Sequence, residues 1–105
     1  MDEHEDNLKE LETEHGEIKV FRTPDGPFAI RRPKAQEYQR MVDKITGDGS
    51  KFMAQKEFVR SVCVYPLDKK DAAKLLDSYP GLASSASSVA TDMAGASFEA
   101  ETRKG

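Results

Sequence analysis

Two histidines, one cysteine and a few paired carboxylates are the side chains in this sequence suited to metal or nucleophilic chemistry. His4 and His15 lie eleven residues apart among Glu and Asp side chains. Imidazole and carboxylate together can chelate a divalent cation, but a fixed site needs its ligands close together on a rigid element, and this spacing supplies none. Cys63 would need a nearby base and a positive, exposed setting to react as the thiolate. It stands instead between Val62 and Val64, where a small core residue is expected. Asp68 and Asp71, three residues apart, suit the first turn of a helix better than an acid–base pair. Gly47 and Gly49 lack both a preceding strand and the Lys-Ser/Thr that follows a phosphate-binding loop. These residues predict no catalytic site, no cofactor, no metal and no enzyme.

Cationic side chains offer a different chemistry, the recognition of phosphate. Arg22, Arg31, Arg32, Lys34, Arg40 and Lys44 concentrate in one stretch, and residues 18–74 hold 13 basic against 7 acidic side chains. Such a face could contact nucleic acid. The helix best placed to enter a groove, over 68–79, offers no Arg, Asn or Gln to read bases, and stacking aromatics are absent. A solvated basic face is the plainer reading, and a small nucleic-acid-binding or regulatory module is the alternative to the function reached below.

The elements that carry these residues follow from the apolar periodicity. Ile18, Val20 and Phe21 precede Thr23-Pro24-Asp25-Gly26-Pro27, and Phe28 and Ile30 follow, which predicts a β-hairpin over 17–32. A first helix near Pro33 carries Tyr38, Met41, Val42 and Ile45 on one face and stops at Gly47. A second, from about Lys51 to Val64, has the widest stripe and is expected to be central. Tyr65-Pro66 and Tyr79-Pro80 break the helical pattern, since proline biases the residue before it away from the helical region. Between them a third helix opens at Asp68 and buries Ala72, Leu75, Leu76 and Tyr79. A fourth places Leu82, Ala86, Val89, Ala90 and Met93 on one face, with its serines elsewhere. The expected fold is mainly α: an N-terminal β-hairpin followed by a compact bundle of about four short helices. The core is expected at Tyr38, Val42, Ile45, Phe52, Val59, Val62, Cys63, Leu75, Leu76 and Tyr79.

Charge divides the 105 residues unevenly. Residues 1–17 hold eight acids against Lys9, whereas the remainder carries 15 basic and 11 acidic side chains. Dense like charge repels itself, so 1–16 reads as a disordered or frayed acidic arm. A sharper reading lays that arm over the basic face until a partner displaces it. Residues 17–95 then form a single helical domain, and 96–105 a flexible tail. No run reaches the roughly 20 apolar residues a bilayer requires, and the opening residues are not a basic-then-apolar signal, so a cytoplasmic protein without a membrane partner is expected. A lone cysteine fits a reducing compartment. A core this small, without Trp, implies modest stability alone or support from self-association or a partner.

Arg31-Arg32-Pro33 before a helix with Tyr38, the Gly47-Asp48 link, Val59-x-x-Val62-Cys63-Val64-Tyr65-Pro66 and Leu75-Leu76-x-x-Tyr79-Pro80-Gly81-Leu82 together resemble the small tail assembly chaperones of long-tailed bacteriophages over residues 28–95. The resemblance implies a non-enzymatic factor in the host cytoplasm, absent from the finished virion. It would bind the tape measure protein and keep it soluble while tail tube protein polymerises around it. The family has no catalytic residues to carry over. Small side chains let another helix approach closely and methionine adapts to varied sequence. The client surface is therefore expected at Leu82, Ala86, Val89, Ala90 and Met93, with the hairpin edge as second choice.

Val62 tests the placing of the second helix. Val62→Asp should put an unpaired charge in the densest apolar region and abolish the cooperative thermal transition. A variant that still melts cooperatively would show that this helix is not central.

Overall fold

The hairpin forms where β-branched and aromatic residues flank the turn. In the computed structural model, which describes residues 3–47, 49–96 and 100–105, β1 (Ile18–Thr23) and β2 (Gly26–Arg31) pair antiparallel, with Phe21 opposite Phe28 and Thr23 opposite Gly26. Thr23 Oγ1 accepts from the Asp25 amide at 3.2 Å and donates to the Gly26 carbonyl at 2.6 Å, closing the turn on itself. Gly26 takes φ +120°, a conformation side chains resist. Residues 1 and 2 of the acidic arm, Asp48 of the Gly-Asp link and residues 97–99 of the tail lie outside the described residues.

A third strand was not expected. Cys63–Tyr65 form β3, antiparallel to β2 with Ala29 opposite Tyr65 and Ile30 opposite Cys63, so the sheet order is β1-β2-β3. The helix expected to reach Val64 therefore stops at Val62. Three residues are too short a run for period-2 patterning to announce a strand, and their partner is over 30 residues away in sequence.

The acidic arm is also corrected. Glu3–His15 is a helix, α1, not a disordered arm. Leu8 and Leu11, one turn apart, are both buried on Ala29 and Tyr65, with Ile18 and Val64 packed alongside. Glu5 reaches Arg22 at 2.6 Å, so the arm covers part of the basic hairpin. Short isolated helices are marginal, and here the sheet supplies the support that two leucines could not announce. Gly16, at φ +80°, ends α1 and donates its amide to the Glu12 carbonyl at 2.8 Å.

Four further helices follow: α2 (Ala35–Thr46), α3 (Lys51–Val62), α4 (Lys69–Ser78) and α5 (Pro80–Thr91), the last running into a widened turn at Asp92–Ala96. The molecule is thus mainly helical, with five α-helices and three strands among the described residues rather than a hairpin and about four helices. Pro33 lies before α2 rather than in it. Lys34 is the N-cap, and its amide donates to Glu37 Oε1 at 2.8 Å. Ser50 caps α3, and Asp68 caps α4 through the Lys70 amide at 2.8 Å. Pro80 opens α5 at a first-turn position where its missing N–H costs nothing.

The main core lies between the inner face of the sheet and α2–α5. Val59, Val62, Leu75 and Leu76 are buried as expected, while Tyr38, Val42, Ile45, Cys63 and Tyr79 are only half-buried. Phe52 is a correction: it is 42% exposed, because α3 turns Ala54, Phe58, Val59 and Val62 inward instead. Ser87, expected on the outer side of α5, is 2% exposed, with its hydroxyl 3.8 Å from the sulfur of Met41. A residue this small lets α5 lie close against its neighbours.

One polar contact ties the layers together. The guanidinium of Arg31, at the end of β2, grips both carboxylate oxygens of Glu37 on α2 at 2.9 and 2.8 Å. It also donates to the Ser61 carbonyl of α3 at 3.1 Å. The two side chains are only 18% and 19% exposed, and the paired bonds hold the Glu37 carboxyl below its ordinary value of 4.5. A carboxyl depressed in the folded state adds stability above its unfolded pKa and loses it as pH falls through the folded value. Glu37→Ala should cost about 2 kcal/mol near pH 7 in chemical denaturation. The gap between variant and parent should close as pH is lowered below 4.5. A gap independent of pH would show that packing, not the ion pair, carries the effect.

Candidate functional site

The connection between β3 and α4 lifts one leucine clear of the protein. Tyr65 is buried under α1, Asp68 is fixed as the cap of α4, and Leu67 between them is 68% exposed. The Tyr65–Pro66 peptide bond is cis. Pro66 and Leu67 form a ridge with a concavity on each side.

On one side, a groove of about 480 Å³ runs between α3 and the start of α4. Cys63, Val64 and Ala72 line it, Met53 borders it at 58% exposed, and Lys56, Arg60 and Lys69 stand around it with Glu57. Lys56 is anchored by Asp77 at 2.5 Å. Glu57 is hydrogen-bonded by Lys44, which holds its carboxyl below the ordinary range. On the other side, a hollow of about 580 Å³ reaches α1 and the β1–β2 turn. Its charged lining is chiefly acidic: Glu3, Asp25, Asp68 and Asp71 against Lys74. Tyr79 donates to Asp25 at 2.9 Å, and that bond raises the phenol above its ordinary pKa. His4 stands edge-on to Tyr65, with ring centroids 5.6 Å apart and Nδ1 2.5 Å from the phenolic oxygen. The ridge thus separates a basic groove from an acidic one.

The residues expected to bind a client are elsewhere. Leu82, Ala86, Ala90 and Met93 come together, but inside the domain's own core, at 9%, 0%, 0% and 9% exposed, and Val89 packs half-buried beside them. The α5 stripe lies chiefly on α3. A helix of small residues does allow close approach, and here the approaching helix belongs to the same chain. Met53 and Leu67 were missed because exposure is a tertiary property that residue type does not state. The proline break before Leu67 was the one signal that a loop would carry it outward.

Among the described residues no group of three His, Cys, Asp or Glu side chains is arranged to hold a metal ion. Among the same residues no helix is long and apolar enough to cross a membrane. Of the cationic face, Arg22 is engaged by Glu5, Arg31 by Glu37 and Lys44 by Glu57.

Comparison with known proteins places the fold. A family model described as "Domain of unknown function (DUF6848)" matches residues 7–103. The solved structure of an uncharacterised protein from Bacillus stearothermophilus superposes with a TM-score of 0.71 at 23% identity, covering 92% of this chain and 100% of that one. That likeness establishes a shared fold. No curated protein matches the chain.

Cys63 provides a check on the groove wall. Burial pushes its thiol up to about 11, while Sγ donates to the Tyr65 carbonyl at 3.2 Å. A thiol so far from ionising at pH 8 should alkylate at least about tenfold more slowly in the folded protein than in denaturant. Equal rates would show that β3 opens readily and that the groove is not preformed.

Proposed function

The chain belongs to the DUF6848 family, and we propose that it is a non-enzymatic assembly chaperone that holds an aggregation-prone client by its exposed apolar groove. The observation that carries this reading is that Met53 and Leu67, 58% and 68% exposed, both line one groove. Exposed apolar side chains rimmed by polar residues are a feature of surfaces that bind other proteins. Methionine adapts to varied partners, and a rim of lysine and arginine keeps the groove soluble while empty. Weak, repeatable contact of this size suits a factor that grips and releases a long client rather than one that forms a permanent complex.

The resemblance over residues 28–95 supplies the client's identity: the tape measure protein of a long-tailed bacteriophage, kept soluble in the host cytoplasm while tail tube protein assembles, with the chaperone absent from the virion. The expected client surface moves from the α5 stripe to the α3–α4 groove. Internal pairing of Arg22, Arg31 and Lys44 counts against the nucleic-acid alternative, because those cations would have to leave carboxylates to reach phosphate.

Met53→Asp combined with Leu67→Asp provides the test. Both side chains are exposed, so the variant should fold and melt within a few degrees of the parent, about the effect of ordinary surface substitutions. Co-expressed with the tape measure protein, it should leave most of the client insoluble where the parent keeps it in solution. A folded variant that still solubilises the client removes the groove from consideration. Salt-sensitive DNA binding by the parent, lost in Arg32→Glu with Arg40→Glu, would favour the alternative.

A further inference from the structure

We infer that the Leu67 ridge and its two flanking grooves are a self-recognition surface, covered in the free protein by a second copy of this chain. Charge of opposite sign lies on the two flanks of the ridge. One flank carries Lys56, Arg60 and Lys69 against Glu57; the other carries Glu3, Asp25, Asp68 and Asp71 against Lys74. A two-fold axis running along such a ridge turns the basic flank of one copy onto the acidic flank of the other, twice. This is the isologous arrangement of a two-fold dimer, in which one patch is its own complement. An acidic client helix would satisfy the basic flank and leave the acidic flank facing its own sign. A second copy satisfies both.

The apolar content fits the same occupant. Leu67, 68% exposed, stands at the boundary of the two flanks, where the axis would pass, and Met53 borders the basic flank. Two copies meeting there bring the leucines together at the centre of the contact, with charged side chains around them. Apolar centre and polar rim is the usual anatomy of a protein interface.

Self-association then regulates the proposed client site, since the same groove cannot hold both. That consequence rests on the chaperone reading, whereas the dimer does not. The free protein would store its apolar groove closed, and a client would take it by mass action.

Sedimentation of the full chain without client, from about 1 μM to about 1 mM, reads the association directly. A monomer–dimer equilibrium is expected, weakening as salt rises because the opposed charges are screened. Leu67→Asp should raise the dissociation constant by about tenfold or more. Arg60→Glu and Asp71→Arg should each weaken it, and the double variant should regain most of the loss, because it restores opposite signs across the axis. Circular dichroism and a thermal melt confirm that each variant folds. A chain monomeric over the whole range overturns the inference. So does a dimer indifferent to Leu67→Asp, which would lie on another face, or a double variant weaker than both singles. None of those results bears on client solubility, so the chaperone reading fails or survives separately.

Discussion

Everything in this fold is arranged around a strand with no exposed face. Side chains alternate across a sheet, so a strand covered on one side shows alternate burial. In β2, Phe28, Ala29 and Ile30 are successive and all 0% exposed. Phe28 and Ile30 belong to the main core with α2–α5, and Ala29 to the smaller cluster under α1. A helical layer on one side and a single acidic helix on the other are both required to keep that strand dry. The same strand ends in Arg31, whose guanidinium fixes the start of α2 and the end of α3. One six-residue segment therefore sets the position of both layers.

This constraint decides which surface the packing leaves uncovered. Closing the inner face of β2 draws α5 into the core through Leu82, Ala83, Ala86 and Ala90, so the helix with the smallest side chains is spent on internal packing. Closing the outer face brings α1 over the sheet and carries its acids toward the β1–β2 turn. The surface not used by either closure lies at the end of β3, where the chain leaves the sheet for α4. Met53 and Leu67 remain there, with the basic groove on the side of α3 and the acids of α1 and α4 on the other.

How much of this was legible depends on the distance over which each signal acts. The hairpin was legible because its cause is local: β-branched and aromatic residues on both sides of Pro24-Asp25-Gly26. The four helices from 35 onward were legible from their stripes, and two of the starts from Asp68 and Pro80. Helix α1 was not, because two leucines among six acids state a preference only when Ala29 and Tyr65 are present to receive them. Strand β3 was hidden for the same reason: Cys63-Val64-Tyr65 continues a helical pattern until β2 offers its free edge. The site suffered most. Leu82 and Met93 look like a docking stripe and are core, while Leu67 looks like loop filler and is the most exposed large apolar side chain described.

The acidic helix links stability to surface chemistry. Seen as sequence, its charge argued for a segment that repels itself and stays unfolded. Bound to the sheet, the same charge is separated by function. Glu5 is drawn to Arg22 of the hairpin, while Glu3 faces the hollow beside Leu67 with Asp25, Asp68 and Asp71. Leu8 and Leu11 are the buried side chains among the thirteen residues, a small apolar contact for a helix of that length, joined by His4 on Tyr65 and Glu5 on Arg22. A helix with few buried contacts opens locally at low cost. Its release would uncover Ala29 and Tyr65 and remove Glu3 from the acidic flank in one step. The helix that completes the fold is thus also part of the surface that the fold presents.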